Sequence, residues 1–204
     1  MDTKIMTSRA PRTLRHGMMA LLLAACAAFA APSALQAQDA NDYIKDLTAP
    51  SQDEPTVTAL VLRKMVEQAV AQNAPLELNR ATIAAELDKL AQITVQIQFA
   101  LDSAIIRPES YATIGAIADA LHHPILWKYH FLITGNTDTT GNRARNLALS
   151  QQRADAVRDA LVNLYGIDGR RLEAVGLGQE VLQTPKDPKN PINRRVQLFN
   201  IGLE

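Results

Sequence analysis

One stretch constrains this chain more than any other: Phe131 to Val157, FLITGNTDTTGNRARNLALSQQRADAV. The apolar run Phe131-Leu132-Ile133 reads as a buried strand. The Gly135 to Asn142 cluster reads as a turn, and a long helix pattern follows. At such a junction, loop side chains and helix N-terminal amides converge on one pocket, where the helix dipole favours an anion. The loop adds a carboxylate, Asp138. Positions 146, 150, 153, 157, 161 and 164 share one side of the helix. They are Asn146, Ser150, Arg153, Val157, Leu161 and Leu164, so the last three read as ordinary core and the first three place an amide, a hydroxyl and a guanidinium on the inward face. An unpaired buried guanidinium is costly, so Arg153 needs a protein carboxylate or a ligand. Its side chain leans back toward the loop that carries Asp138. Two readings follow from the spacing. Either Asp138 and Arg153 bridge each other, or they clamp a zwitterion, Asp138 taking an ammonium and Arg153 gripping a carboxylate with its fork.

The surrounding chain supplies a sheet and a second helix. Ile93, Val95, Ile97 and Phe99 alternate with Thr94, Gln96 and Gln98, which predicts a strand with one buried face. Pro108 suits a first helical turn, and Tyr111, Ile114, Ile117, Ala118 and Leu121 form the inward stripe of a helix that ends before Pro124. Gly166 closes the long helix. Leu172 to Val175 predicts a third strand, a Pro-rich loop runs from Gly176 to Ile192, and a last strand spans Asn193 to Ile201. The two-residue period puts Arg194 on the side of Val196 and Leu198, and leaves Arg195 to solvent. Asp102, just past Phe99, is either a ligand contact or a turn-stabilising aspartate.

The pattern T-D-x-x-G followed by N-x-x-L-S-x-x-R-A-x-x-V, here Thr137 to Gly141 and Asn146 to Val157, resembles the OmpA-like C-terminal domain family, the peptidoglycan-associating module. Gly166-Ile167, Arg171-Leu172, Gly176-x-Gly178 and Asn193-Arg194-Arg195-Val196 extend the resemblance over residues 93 to 201. It implies an α/β two-layer sandwich, two main helices packed on a mixed four-stranded sheet. It also implies that Asp138 holds the ammonium and Arg153 the carboxylate of diaminopimelate in the stem peptide. Thr137, Asn146 and Arg194 would support them, with Asp102 at the rim and loop amides near Gly141 donating to the ligand. Asn136 stands where the family usually has histidine; an amide keeps both a donor and an acceptor there.

The N-terminus points to export. Lys4, Arg9, Arg12 and Arg15 precede an apolar run from Gly17 to Ala31 that is too short to span a membrane, so residues 1–37 read as a signal peptide. Cleavage near Ala37 or after Ala28-Phe29-Ala30 competes with lipidation at Cys26, because Leu23-Ala24-Ala25-Cys26 resembles a lipobox. Cys26 is the only cysteine, so no intrachain disulfide forms. Removing residues 1–37 takes away four basic residues and one acidic residue, leaving 17 against 20 and a net charge of about −3, unlike a nucleic-acid binder.

Residues 38–92 read as a linker and small helical extension: a polar arm over 38–58, then helical spacing over 59–73 and 79–91, with a strand over Thr56–Leu62 as an alternative. Residues 93–204 form the domain. His122, His123 and His130 lack metal-ligand spacing, no nucleotide or hydrolase motif is present, and no cofactor is implied. The expectation is a non-enzymatic peptidoglycan binder of the periplasm, associated with the outer membrane of a Gram-negative bacterium. The alternative is an envelope scaffold whose residues 38–92 bind a protein partner.

Overall fold

The structure is a computed structural model that describes residues 40–51, 58–75 and 83–203. The signal-peptide reading over residues 1–37, with its cleavage alternatives and the lipidation of Cys26, lies outside the described residues.

Four strands make one sheet: β1 (Gln92–Val95), β2 (Tyr129–Asn136), β3 (Leu172–Gly178) and β4 (Val196–Leu203), in the order β1-β4-β2-β3. β4 lies antiparallel to both β1 and β2, whereas β2 and β3 run parallel. A parallel pair needs a crossover. The helix α4 (Arg143–Asn163) supplies it, and α3 (Tyr111–His122) packs beside it. Ile114, Ile117 and Leu121 of α3 meet Val157 and Leu161 of α4 over Phe131 and Ile133 of the sheet. The expected arrangement of two main helices on a mixed four-stranded sheet is therefore present. His123 turns out of α3 into an extended conformation (φ −62°, ψ 135°), as the following proline requires.

Helix α4 lies unusually close to the sheet. A Cβ at Gly135 would come within 2.2 Å of the Ser150 carbonyl oxygen, and one at Gly176 within 2.3 Å of the Gln151 amide nitrogen. Only glycine fits both crossings, which set the helix over the ends of β2 and β3. Ser150 completes the joint by donating to the Leu147 carbonyl and accepting from the Gly178 amide, both at 2.8 Å. Gly166 (φ +70°) ends the helix as expected, its amide reaching the Val162 carbonyl.

Several expectations need correction. The polar arm over 38–58 contains a helix, α1 (Ala40–Leu47), whose Tyr43 and Leu47 are buried in the same core as α3. Its apolar pair is too sparse to announce itself, yet burial of each side chain stabilises by about 1.5–3 kcal/mol. Thr58 caps the helix α2 (Ala59–Ala71), so residues 58–62 are not a strand. Leu62 and Val66 of α2, with Ile83, Leu87 and Leu90, cover Leu132, Val175 and Phe199 on the sheet's second face. Part of the sheet is thus covered on both sides.

β1 stops at Val95 because its partner begins there, opposite Val196. Ile97 stays buried beyond the ladder, and Phe99 makes an isolated bridge to Ile106. Leu164 is 63% exposed rather than core, since α4 ends at Asn163. The Arg194/Arg195 assignment is reversed, because Pro191–Asn193 form a 3-10 turn and extended pairing resumes only at Val196. Arg195 is buried, donating to the carbonyls of Val181 (3.1 Å) and Asn193 (3.4 Å), while Arg194 is half-exposed.

Candidate functional site

The site forms where β2 runs out. Asn136 and Thr137 still hold ladder-like bonds, their amides donating to the carbonyls of Arg195 (2.9 Å) and Gly178 (2.7 Å). The chain then turns through Asp138–Gly141, with Gly141 at φ +92°. Asn142 caps α4 by accepting from the Arg145 amide at 3.0 Å. Asn146 holds the turn from the helix: its amide group donates to the carbonyls of Asp138 (3.2 Å) and Thr140 (3.1 Å) and to Gln179 Oε1 (2.7 Å). Asn146 therefore holds the loop that carries Asp138.

Asp138 is buried, and each oxygen of its carboxylate has a donor. Oδ1 accepts from the Thr140 amide at 2.8 Å and Oδ2 from Arg194 Nη1 at 2.6 Å. Burial is the largest influence on its pKa and pushes it up. The Arg194 guanidinium and the Thr140 donors together outweigh it and hold the carboxyl below its ordinary range. Asp138 is ionised at neutral pH.

Arg153 does not bridge Asp138. Its Nε donates to the Ser103 carbonyl at 3.0 Å, and its guanidinium carbon stands 4.9 Å from the centre of the Phe99 ring. Among the described residues no carboxylate pairs with it. Burial lowers its pKa, the like charge of Arg194 adds to that, and the charges of Asp102 and Asp138 oppose it more weakly. Arg153 and Arg194 line one small open pocket with Ile97, Phe99, Asn136 and Val196. Arg153 is thus a half-buried cation that shares its pocket with a second cation, Arg194, and an anion between them would offset both charges.

The other expected residues divide. Thr137 is buried with its hydroxyl unpartnered among the described residues, and the carbonyl oxygen of the Asn136 side chain, which lines the pocket, is likewise unpartnered. Such orphaned polar atoms are rare and call for an explanation such as a ligand. Gly141 contributes the turn. Asp102 sits at φ +50° and pairs with Arg145 on the first turn of α4. Sequence reasoning missed Phe99 and Ser103 as the seat of Arg153. The alternation that placed Phe99 with Ile97 was the available signal. It also missed Arg194 as the partner of Asp138, a contact between positions 56 residues apart. Among the described residues no cluster of three or more His, Cys, Asp or Glu could hold a metal, and no helix is long and apolar enough to cross a membrane.

Comparison with known proteins finds relatives over the same region. The chain is 34% identical over 128 residues to outer membrane porin F of Pseudomonas aeruginosa, covering 61% of this chain and 35% of the porin. It is 35% identical over 101 residues to the peptidoglycan-associated lipoprotein of Brucella melitensis, covering 49% of this chain and 58% of the lipoprotein. It thus spans about a third to three-fifths of the length of these relatives. The crystal structure of the peptidoglycan-associated lipoprotein from Burkholderia pseudomallei is 38% identical, with a TM-score of 0.43, covering 51% of this chain and 87% of that one. The OmpA family matches residues 98–197, which contain Phe99, Asp138, Arg153 and Arg194. Residues 98–197 of this chain are an OmpA family domain.

Proposed function

We propose that this domain binds peptidoglycan non-covalently in the periplasm and tethers the outer membrane, or a complex attached to it, to the cell wall. The ligand is the diaminopimelate of the stem peptide: its carboxylate takes the fork of Arg153, and its ammonium takes Asp138. The observation that carries this reading is Arg153, seated on Phe99 and the Ser103 carbonyl, lining the pocket with no carboxylate partner among the described residues. Similarity to the peptidoglycan-associated lipoprotein of Brucella melitensis supports it. Asp138, held ionised and reached through Arg194, supplies the opposite charge close by.

Each charge-assisted hydrogen bond contributes about 1.5–3 kcal/mol before ordering costs, so one clamp on one stem peptide is weak. Retention on the wall comes from the density of sites there. The scaffold reading, in which residues 38–92 recruit a protein, draws less support, because Tyr43, Leu47, Leu62 and Val66 are spent on the domain's own cores. Calorimetric titration with a muropeptide carrying diaminopimelate tests the proposal, with Asp138→Asn beside wild type. Saturable heat from wild type and at least a tenfold loss in the variant are expected. Equal binding by both would remove Asp138 from the site.

A further inference from the structure

We propose that Arg194 determines the specificity of this site by occupying, on Asp138, the place that a ligand ammonium would take. The site then opens only to a ligand that brings a cation and an anion together. The inference rests on the peptidoglycan reading above and concerns how that same pocket selects its ligand.

The geometry carries it in three steps. Asp138 has only 8% of its side chain exposed, and its outer oxygen, Oδ2, is already bonded to Arg194 at 2.6 Å. An incoming ammonium therefore meets Arg194 before it meets the carboxylate. Arg194 is the movable member of the pair. Its side chain is 49% exposed, it follows a 3-10 turn rather than sitting in a strand, and among the described residues its guanidinium is held by this contact alone. Finally, the displaced guanidinium has somewhere to go. It lines the same pocket as Arg153, whose like charge disfavours a second cation while the pocket is empty and whose ligand carboxylate would welcome one.

Selectivity follows from this exchange. A ligand with only a cation must break the Asp138–Arg194 pair and leave Arg194 beside Arg153 with no anion between them. A ligand with only an anion leaves Asp138 plugged and gains one end of the clamp. A zwitterion replaces Arg194 on Asp138 and gives the released guanidinium a carboxylate to share with Arg153.

The test is an NMR titration of the 15N-labelled protein with meso-diaminopimelate, pimelate and 1,5-diaminopentane, following the Thr140 amide, for wild type, Arg194→Ala, Arg194→Lys and Arg145→Ala. Wild type is expected to prefer diaminopimelate over the diamine by at least tenfold. In Arg194→Ala that ratio should fall at least fivefold, with the diamine binding more tightly than to wild type. Arg194→Lys, which keeps a cation against Asp138 and so guards against a misfolded variant, should fall between. Arg145→Ala removes an equal charge that is engaged with Asp102 instead, and should leave the ratio unchanged. An unchanged ratio in Arg194→Ala, or an equal fall in Arg145→Ala, overturns the role of Arg194. If wild type binds no diaminopimelate, the peptidoglycan reading itself fails and takes this one with it.

Discussion

Arg143 and Arg153 sit on one helix ten residues apart and meet opposite fates. Arg143 grips Glu180 with Nε at 2.7 Å and Nη2 at 2.6 Å, and its Nη1 reaches Asn73 Oδ1 at 3.3 Å. Glu180 is 1% exposed, and the pair raises the Arg143 pKa. Arg153 has a carbonyl and an aromatic ring, but no anion among the described residues. Both are cations drawn partly out of water. One is closed by the protein, joining the start of α4 to the loop after β3 and to the end of α2. The other rests on a carbonyl and a ring and lines the pocket. The contrast teaches that a buried charge marks a binding site when its charge, rather than its position, is left incomplete.

The comparison breaks most easily at Glu180. Glu180→Ala leaves Arg143 without its counter-ion in a largely buried setting, and about 3–5 kcal/mol of stability should be lost. Urea denaturation reads this directly, and a loss below about 1 kcal/mol would mean that the pair is no pin. Asn146→Ala comes next: it removes a buried amide whose two N–H groups are shared among three acceptors, for an expected loss of about 1–3 kcal/mol. Wall binding should weaken as well, because the turn carrying Asp138 loses its hold. A stability loss with binding intact would show that the turn keeps its shape unaided.

Acid sharpens the contrast on the Asp138 side. Its folded-state pKa lies below the unfolded value, so its ionised form favours the fold at neutral pH. That contribution is present above the unfolded pKa of about 4 and fades as pH falls through the lower folded value. Thermal melts should show wild type losing its advantage over Asp138→Asn on acidification below about pH 4, whereas a constant gap would contradict the shift. The smallest effect belongs to Asp102. It is an exposed partner of Arg145, so Asp102→Asn should change stability by no more than about 0.5 kcal/mol and wall pelleting by less than twofold.

Much of this arrangement was legible in the chain. The strand, turn and helix from Phe131 onward announce themselves by a change of period, and the helix stripe isolates Asn146, Ser150 and Arg153 as polar groups facing inward. What periodicity cannot supply is which charge meets which. Asp138 and Arg153 are fifteen residues apart and looked like partners. The register of β4 against β2 instead delivers Arg194 to Asp138, and a close-packed glycine crossing sets Arg153 over Phe99. Likewise α1 was illegible because only Tyr43 and Leu47 of its residues are fully buried, and Arg195 because the 3-10 turn before β4 shifts its side chain out of the expected alternation.

The central claim is that Arg153 is held ready for an anion on the cell wall rather than for the fold. Co-sedimentation with purified sacculi, run for wild type and Arg153→Ala with circular dichroism on both, tests it most directly. The account predicts that wild type pellets with the wall, while the variant keeps its fold and stays in solution. A folded Arg153→Ala that pellets as well as wild type would contradict it.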